Sequence, residues 1–285
     1  MSVLFGTAGE SNSFRQMGYK TGSQIPAYIK QMGLDAFEYQ CGRGVRLNEE
    51  TASSICKQAQ LHEIVYSLHA PYYISMSSME EEKRLKSVEY ILQSAKAITM
   101  LGGNRVVFHS GSCGKQSREV ALQKAIDTMK RMVEAVDAAG FSHVVLCPET
   151  MGKVGQLGTL EEVLELCKVD NRITPCIDFG HLNARTQGGF STKKQMAEIL
   201  DKMAESLQDE RASRFHAHFS MIQYTAGGEK CHMTFADGRQ WGPDFEPLME
   251  LLYERGLSPV IICESAGTQA EDSATMKAYY TNLKG

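Results

Sequence analysis

No apolar run in the 285-residue chain approaches the roughly 18 residues that a membrane-crossing helix needs. The opening residues, Met1-Ser2-Val3-Leu4-Phe5, have no basic stretch leading into an apolar h-region, so the sequence reads as soluble and cytoplasmic. There is no surplus of positive charge either: 30 Lys and Arg against 34 Asp and Glu leave a net charge of −4. That balance argues against a general nucleic-acid coat protein, while leaving room for a local basic rim. The 8 cysteines include no CxxC pair, and Cys147, Cys176 and Cys263 sit inside apolar runs. Reduced thiols there pack like small hydrophobes, and nothing reads as a disulfide scaffold. No Gly-x-Gly-x-x-Gly element opens a helix, which counts against dinucleotide binding. No internal repeat, linker or low-complexity stretch divides the chain, and its 42% hydrophobic composition suffices for one sizeable core.

What is present is an alternation. Short β-branched or aromatic runs fall at Val3–Phe5, Ala36–Tyr39, Ile64–Leu68, Arg105–Phe108, His143–Cys147, Ile173–Ile177, Arg214–Ala217 and Val260–Cys263, each followed by a segment of helical period. The helices have readable starts in Pro26, in Asn48 with Glu49 and Glu50 behind it, and in the capping box Thr159-x-x-Glu162. Gly33, Gly102-Gly103, Gly140 and Gly256 mark their ends. Eight strand-then-helix units in this length predict a single-domain (β/α)8 TIM barrel over residues 1–285.

Such barrels build their active sites at the C-terminal ends of the strands. In this chain six consecutive strands end in a group able to bind a divalent metal: His69, His109, Glu149, Asp178, His218 and Glu264. A single strand-end histidine or carboxylate is ordinarily a solvated residue or a cap; six in succession are hard to explain that way. His181, three residues beyond Asp178, and His232, expected in the loop after strand seven, extend the cluster. His216 shares a face with His218 one layer deeper, so His218 is taken as the ligand and His216 as packed. His62 and His143 have no such placement. Imidazole and carboxylate donors without thiolate suit zinc, manganese or iron better than calcium or magnesium.

At these residues the chain resembles the endonuclease IV family within the xylose-isomerase-like TIM barrel superfamily. The resemblance runs from about strand two to strand eight. It is carried by Leu68-His69-Ala70-Pro71-Tyr72, Phe108-His109-Ser110-Gly111, Pro148-Glu149-Thr150, Cys176-Ile177-Asp178-x-x-His181, His218 and Cys263-Glu264-Ser265. It implies one zinc-type metal on His69, His109 and Glu149, a second on Glu149, Asp178, His218 and Glu264, and incision of DNA at abasic sites by metal-bound hydroxide. Arg43 and Arg46 after strand two, and Tyr72 and Tyr73 after His69, are then the candidates for holding DNA around an extruded nucleotide.

One stretch departs from the family, which carries Asp-x-His where this chain reads Lys230-Cys231-His232. A protonated lysine cannot ligate a metal and repels a nearby cation, so two metals are expected, with the third site weak or empty unless Glu229 or Asp237, neither at the family spacing, supplies the missing carboxylate. Lys230 would then stand in for the third cation beside the phosphate, with Glu149 and Glu264 as the other catalytic groups, and His181 and His232 donating hydrogen bonds. The quartet Glu149, Asp178, His218 and Glu264 alone would equally make a single-metal site. A sugar isomerase or epimerase acting on a sugar or phosphosugar is therefore the rival reading, and a non-catalytic binding barrel a third.

Overall fold

The computed structural model describes residues 2–285. Eight parallel strands form the barrel: β1 Leu4–Ala8, β2 Ala36–Gln40, β3 Val65–His69, β4 Arg105–Phe108, β5 Val145–Pro148, β6 Cys176–Asp178, β7 His216–Phe219 and, after a hairpin of β8 Met221–Thr225 and β9 Gly228–Met233, β10 Val260–Cys263. The sheet runs β5-β4-β3-β2-β1-β10-β7-β6. Its ends meet in a seam of three contacts: a parallel bridge between Glu149 and Cys176, the Thr150 N–H donating to the Cys176 carbonyl, and the Thr174 N–H donating to the Leu146 carbonyl. Pro148 accounts for the seam, since it has no N–H to give to the β6 side. The chain thus has the single (β/α)8 barrel predicted.

The helix ends follow the signals in the sequence. Asn48 accepts the Thr51 N–H at 2.8 Å, and Thr159 with Glu162 forms the predicted capping box. Gly33, Gly102, Gly140 and Gly256 all take positive φ. Strand bounds shift by a few residues. The fifth begins at Val145 because His143 lies in an exposed turn, and the sixth is confined to Cys176–Asp178 by Pro175. No helix among the described residues is long and apolar enough to cross a membrane.

Most of the apolar core lies between barrel and helices; inside the barrel only Val107, Cys147 and Cys176 form an apolar cluster. All eight cysteines are unpaired. The N-terminal end of the barrel opens as a cavity of ≈600 Å³ lined in part by Arg105, Arg211 and Arg214. Two of those guanidiniums are committed to main-chain carbonyls: Arg105 to Arg214 and Phe215, and Arg211 to Cys167 and Ile173. They brace the bottom of the barrel, and the strand tips that carry the candidate ligands lie at the opposite end.

Candidate metal centre

The six strand-tip residues converge on Glu149. Its Oε2 lies 3.2 Å from His69 Nε2 and 3.1 Å from His109 Nε2. Its Oε1 lies 2.9 Å from His218 Nδ1 and 3.5 Å from His181 Nδ1. One carboxylate therefore presents a separate oxygen to each of two donor groups. Ligand atoms lie mutually within 4.8 Å in the set His69, His109 and Glu149, and likewise in the set Glu149, Asp178, His218 and Glu264. The cavity over this cluster holds ≈240 Å³.

Hydrogen bonds fix which ring nitrogen faces inward. His69 Nδ1 donates to the Ala70 carbonyl at 2.9 Å, so Nε2 is the nitrogen that faces Glu149. His181 Nδ1 donates to the Thr150 carbonyl at 2.9 Å, so Nε2 is the nitrogen turned toward Glu229, 3.4 Å from its Oε2. Asp178 caps the helix Phe179–Arg185 by accepting the His181 N–H at 2.7 Å through Oδ1, while its buried Oδ2 has no hydrogen-bond partner. A buried carboxylate oxygen left unpaired in the middle of a nitrogen and oxygen cluster fits a divalent cation as its missing partner.

The electrostatics agree. Burial opposes ionisation of Glu149, yet the facing His218 and the hydrogen bonds from His109, His181 and His218 hold it well below the usual carboxylate range. Burial likewise disfavours charging His69, but Glu149 outweighs it and lifts the imidazole to about 9. Asp178, with burial dominating, is raised to about 6. Positive charge among these carboxylates offsets their burial, and a divalent cation would supply it.

The sequence reading missed Glu38. It sits mid-strand on β2, fully buried inside the barrel. Its Oε2 accepts from Ser67 Oγ at 2.9 Å and from His216 Nε2 at 3.0 Å, and its Oε1 lies 3.0 Å from His218 Nε2. Although burial penalises its charge, His218 and His216 hold it well below the ordinary carboxylate range. Glu38 thus lies against the outer nitrogen of His218, whose Nδ1 faces Glu149, while burial pushes His216 down to about 4 and keeps it neutral. The packed reading of His216 therefore gains a partner. Glu38→Gln is expected to weaken metal binding by about 10–100-fold in a chelator competition without altering the melting temperature of the metal-free protein by more than a few degrees. An unchanged metal affinity would remove Glu38 from the centre.

Two placements differ from expectation. His181 lies on the first turn of helix Phe179–Arg185 and His232 on β9, so neither is a loop residue. In addition, the third ligand position is not vacated by lysine. His181, Glu229 and His232 bring ligand atoms within 4.8 Å of one another, with His181 Nε2 3.4 Å from Glu229 Oε2. The cause is a bulge. Tyr224 pairs with Glu229 and Gln223 with Cys231, so Lys230 is the extra residue on β9. A regular strand would turn Glu229 and His232 to opposite faces; the inserted residue returns them to one face and leaves Lys230 exposed, outside the cavity wall. Close packing depends on Gly152, where an added Cβ would meet the Glu229 side chain at 2.6 Å and His181 at 2.9 Å. His232 is steered by Ser220 Oγ, 2.8 Å from its Nδ1.

Of the rim residues, Tyr72 lines the metal cavity, while Arg43 and Arg46 line an adjoining cavity of ≈350 Å³ that shares Gln40 and Gly42 with it. Tyr73 is turned aside, packed on Tyr90 at 4.7 Å between ring centroids. His62 and His143 are remote from the cluster; His143 bonds Thr99.

The sequence model of the xylose isomerase-like TIM barrel family matches residues 26–279. The chain belongs to this family. It is 31% identical over 277 residues to an uncharacterized protein of Methanocaldococcus jannaschii, covering 97% of each. It is 30% identical over 121 residues to a protein named Probable endonuclease 4 from Malacoplasma penetrans, a stretch of 41% of this chain and 40% of that one. The match thus spans less than half the length of that endonuclease 4. Among solved members of the fold, endonuclease IV from Thermus thermophilus superposes with a TM-score of 0.71 at 18% identity, covering 98% of this chain and 99% of that one. A D-tagatose 3-epimerase-like protein does so with a TM-score of 0.72 at 21% identity, covering 99% and 98%. The barrel is common to both kinds of enzyme, and the family is one of enzymes that bind divalent metals.

Proposed function

We propose that this chain is a phosphodiesterase of the endonuclease IV kind, incising DNA at abasic sites in the cytoplasm with zinc, or manganese or iron in its place. The carrying observation is that three ligand sets meet around Glu149 and His181. A single-metal isomerase would need only the quartet for its metal, leaving His69, His109 and His232 at most acid–base work, whereas together they suit further metal ligation. Divalent cations in these sets would activate water and neutralise charge on the phosphodiester.

The chain's own groups do the rest. Glu149 holds two sets at a fixed separation, and Glu264, the least enclosed carboxylate of the quartet, faces the cavity where it can take a proton from water. Tyr72, exposed and rim-mounted, suits the gap left by an extruded nucleotide; Tyr73, locked on Tyr90, backs it edge-on at 5.4 Å. Arg43 and Arg46 line the adjoining cavity and suit phosphates beside it.

The test combines metal analysis with an incision assay on a duplex holding one abasic site. Incision with more than one metal per chain is expected. Arg43→Ala should weaken duplex binding about tenfold at low salt, with a salt slope shallower by about one counterion and unchanged metal content. A single metal per chain and no incision would hand the site to the second reading, a divalent-metal sugar isomerase or epimerase, which has equal support from fold similarity.

A further inference from the structure

The cavity wall holds a cation that neither the ligand sets nor the rim arginines account for. Lys153 lines it, three residues before Gln156, which lines it too. Lys193, Lys202 and Lys277, by contrast, are paired with Glu250 at 2.8 Å, Glu161 at 2.6 Å and Asp35 at 2.7 Å. Lys153 enters no ion pair among the described residues. Gln156 Oε1 is buried without a hydrogen-bond partner, in a residue that lines the same cavity.

The loop presenting both groups is braced to an unusual degree. Arg185 donates to the carbonyls of Met151, Lys153, Val154 and Gln156 at 2.8–3.2 Å. Arg118 donates to those of Val154 and Gln156 at 3.0 Å and is itself held by Glu162 through two contacts of 2.7 Å. The other edge pairs with the hairpin tip: Lys153 bridges Gly228, and the Glu229 N–H donates to the Gly152 carbonyl. Gly228 sits at φ +90° with an ideal Cβ only 2.1 Å from that carbonyl, so no other residue fits there. A loop fixed on both edges holds an ammonium and an amide at a set spacing beside the metal cluster, which is how a site preorganises recognition.

We infer that Lys153 and Gln156 form an anion subsite for a phosphorylated sugar, the ammonium taking the phosphate and the amide oxygen accepting from a sugar hydroxyl. This rests on the phosphodiesterase reading for its substrate, an abasic nucleotide within DNA. A free sugar phosphate carries the same chemistry and is the source to be distinguished from it.

The experiment uses the metal-loaded protein with inorganic phosphate, ribose 5-phosphate and an abasic duplex as probes. Lys153→Gln is expected to weaken inorganic phosphate about tenfold and to flatten the salt slope of duplex binding by about one counterion, with metal content unchanged; Lys153→Arg should restore both. Gln156→Leu should leave inorganic phosphate unchanged and weaken the hydroxylated probes. Tighter binding of the duplex than of ribose 5-phosphate, lost in both variants, assigns the subsite to DNA. If the native protein incises nothing but Lys153→Gln still loses phosphate and ribose 5-phosphate affinity, the subsite stands and the endonuclease reading falls. Native affinity for every probe in both variants would overturn the subsite.

Discussion

Glu149→Gln is expected to empty the centre and abolish turnover, with activity down on the order of a thousandfold or more, and bound metal lost from two sets at once. The geometry makes this the most sensitive position. Both carboxylate oxygens are engaged, Oε2 by His69 and His109 and Oε1 by His218 and His181. An amide of the same shape keeps one acceptor oxygen, replaces the other with donor protons, and removes the charge that binds either cation. Four imidazoles would then face each other around a neutral group. The check is metal content by elemental analysis beside single-turnover kinetics. A variant retaining full metal and full activity would sink the bridging role.

The same residue shows how much of the centre could be read from sequence. His69, His109, Glu149, Asp178, His218 and Glu264 were legible because a parallel barrel directs the residue at each strand end to one rim, so that position along the chain translates directly into position in space. Glu38 was not. In Ala36-Phe37-Glu38-Tyr39 it looks like the wet side of a half-buried strand, and only closure of the sheet turns that side into the barrel interior, where His216 and His218 await it. The loop around Lys153 was hidden for a related reason. Its conformation is imposed by Arg118 and Arg185, 36 and 32 residues distant from the carbonyls of Val154 and Lys153 that they bind at 3.0 and 2.8 Å.

The β8–β9 hairpin is the instructive failure. Gly227-Gly228 between two polar-apolar alternations is a readable turn signal, yet counting residues from His232 back along a regular strand lands on Lys230. A bulge costs one residue of register, and register is set by how the hairpin docks on the Gly152–Val154 segment, not by the hairpin's own sequence. Spacing taken from the motif therefore points to Lys230, while the bulge brings Glu229, one residue away, to the face of His181 and His232.

Glu229→Ala is accordingly expected to lower the metal content by one per chain and turnover by on the order of a hundredfold, whereas Lys230→Ala should change either by no more than about twofold. The contrast follows from the bulge. Glu229 supplies the sole carboxylate of the third set, 3.4 Å from His181 Nε2, and without it two imidazoles 5.6 Å apart between centroids hold a cation with no compensating charge. Lys230, exposed at the bulge, has no such partner to lose. Gly152→Ala tests the same geometry from behind, because its new methyl group must displace either Glu229 or His181 and should reproduce the loss of one metal while leaving the barrel folded. Elemental analysis of the three variants decides the matter. Should Lys230→Ala lose the metal and Glu229→Ala retain it, the third set is wrongly assigned and the hairpin holds its register without the bulge.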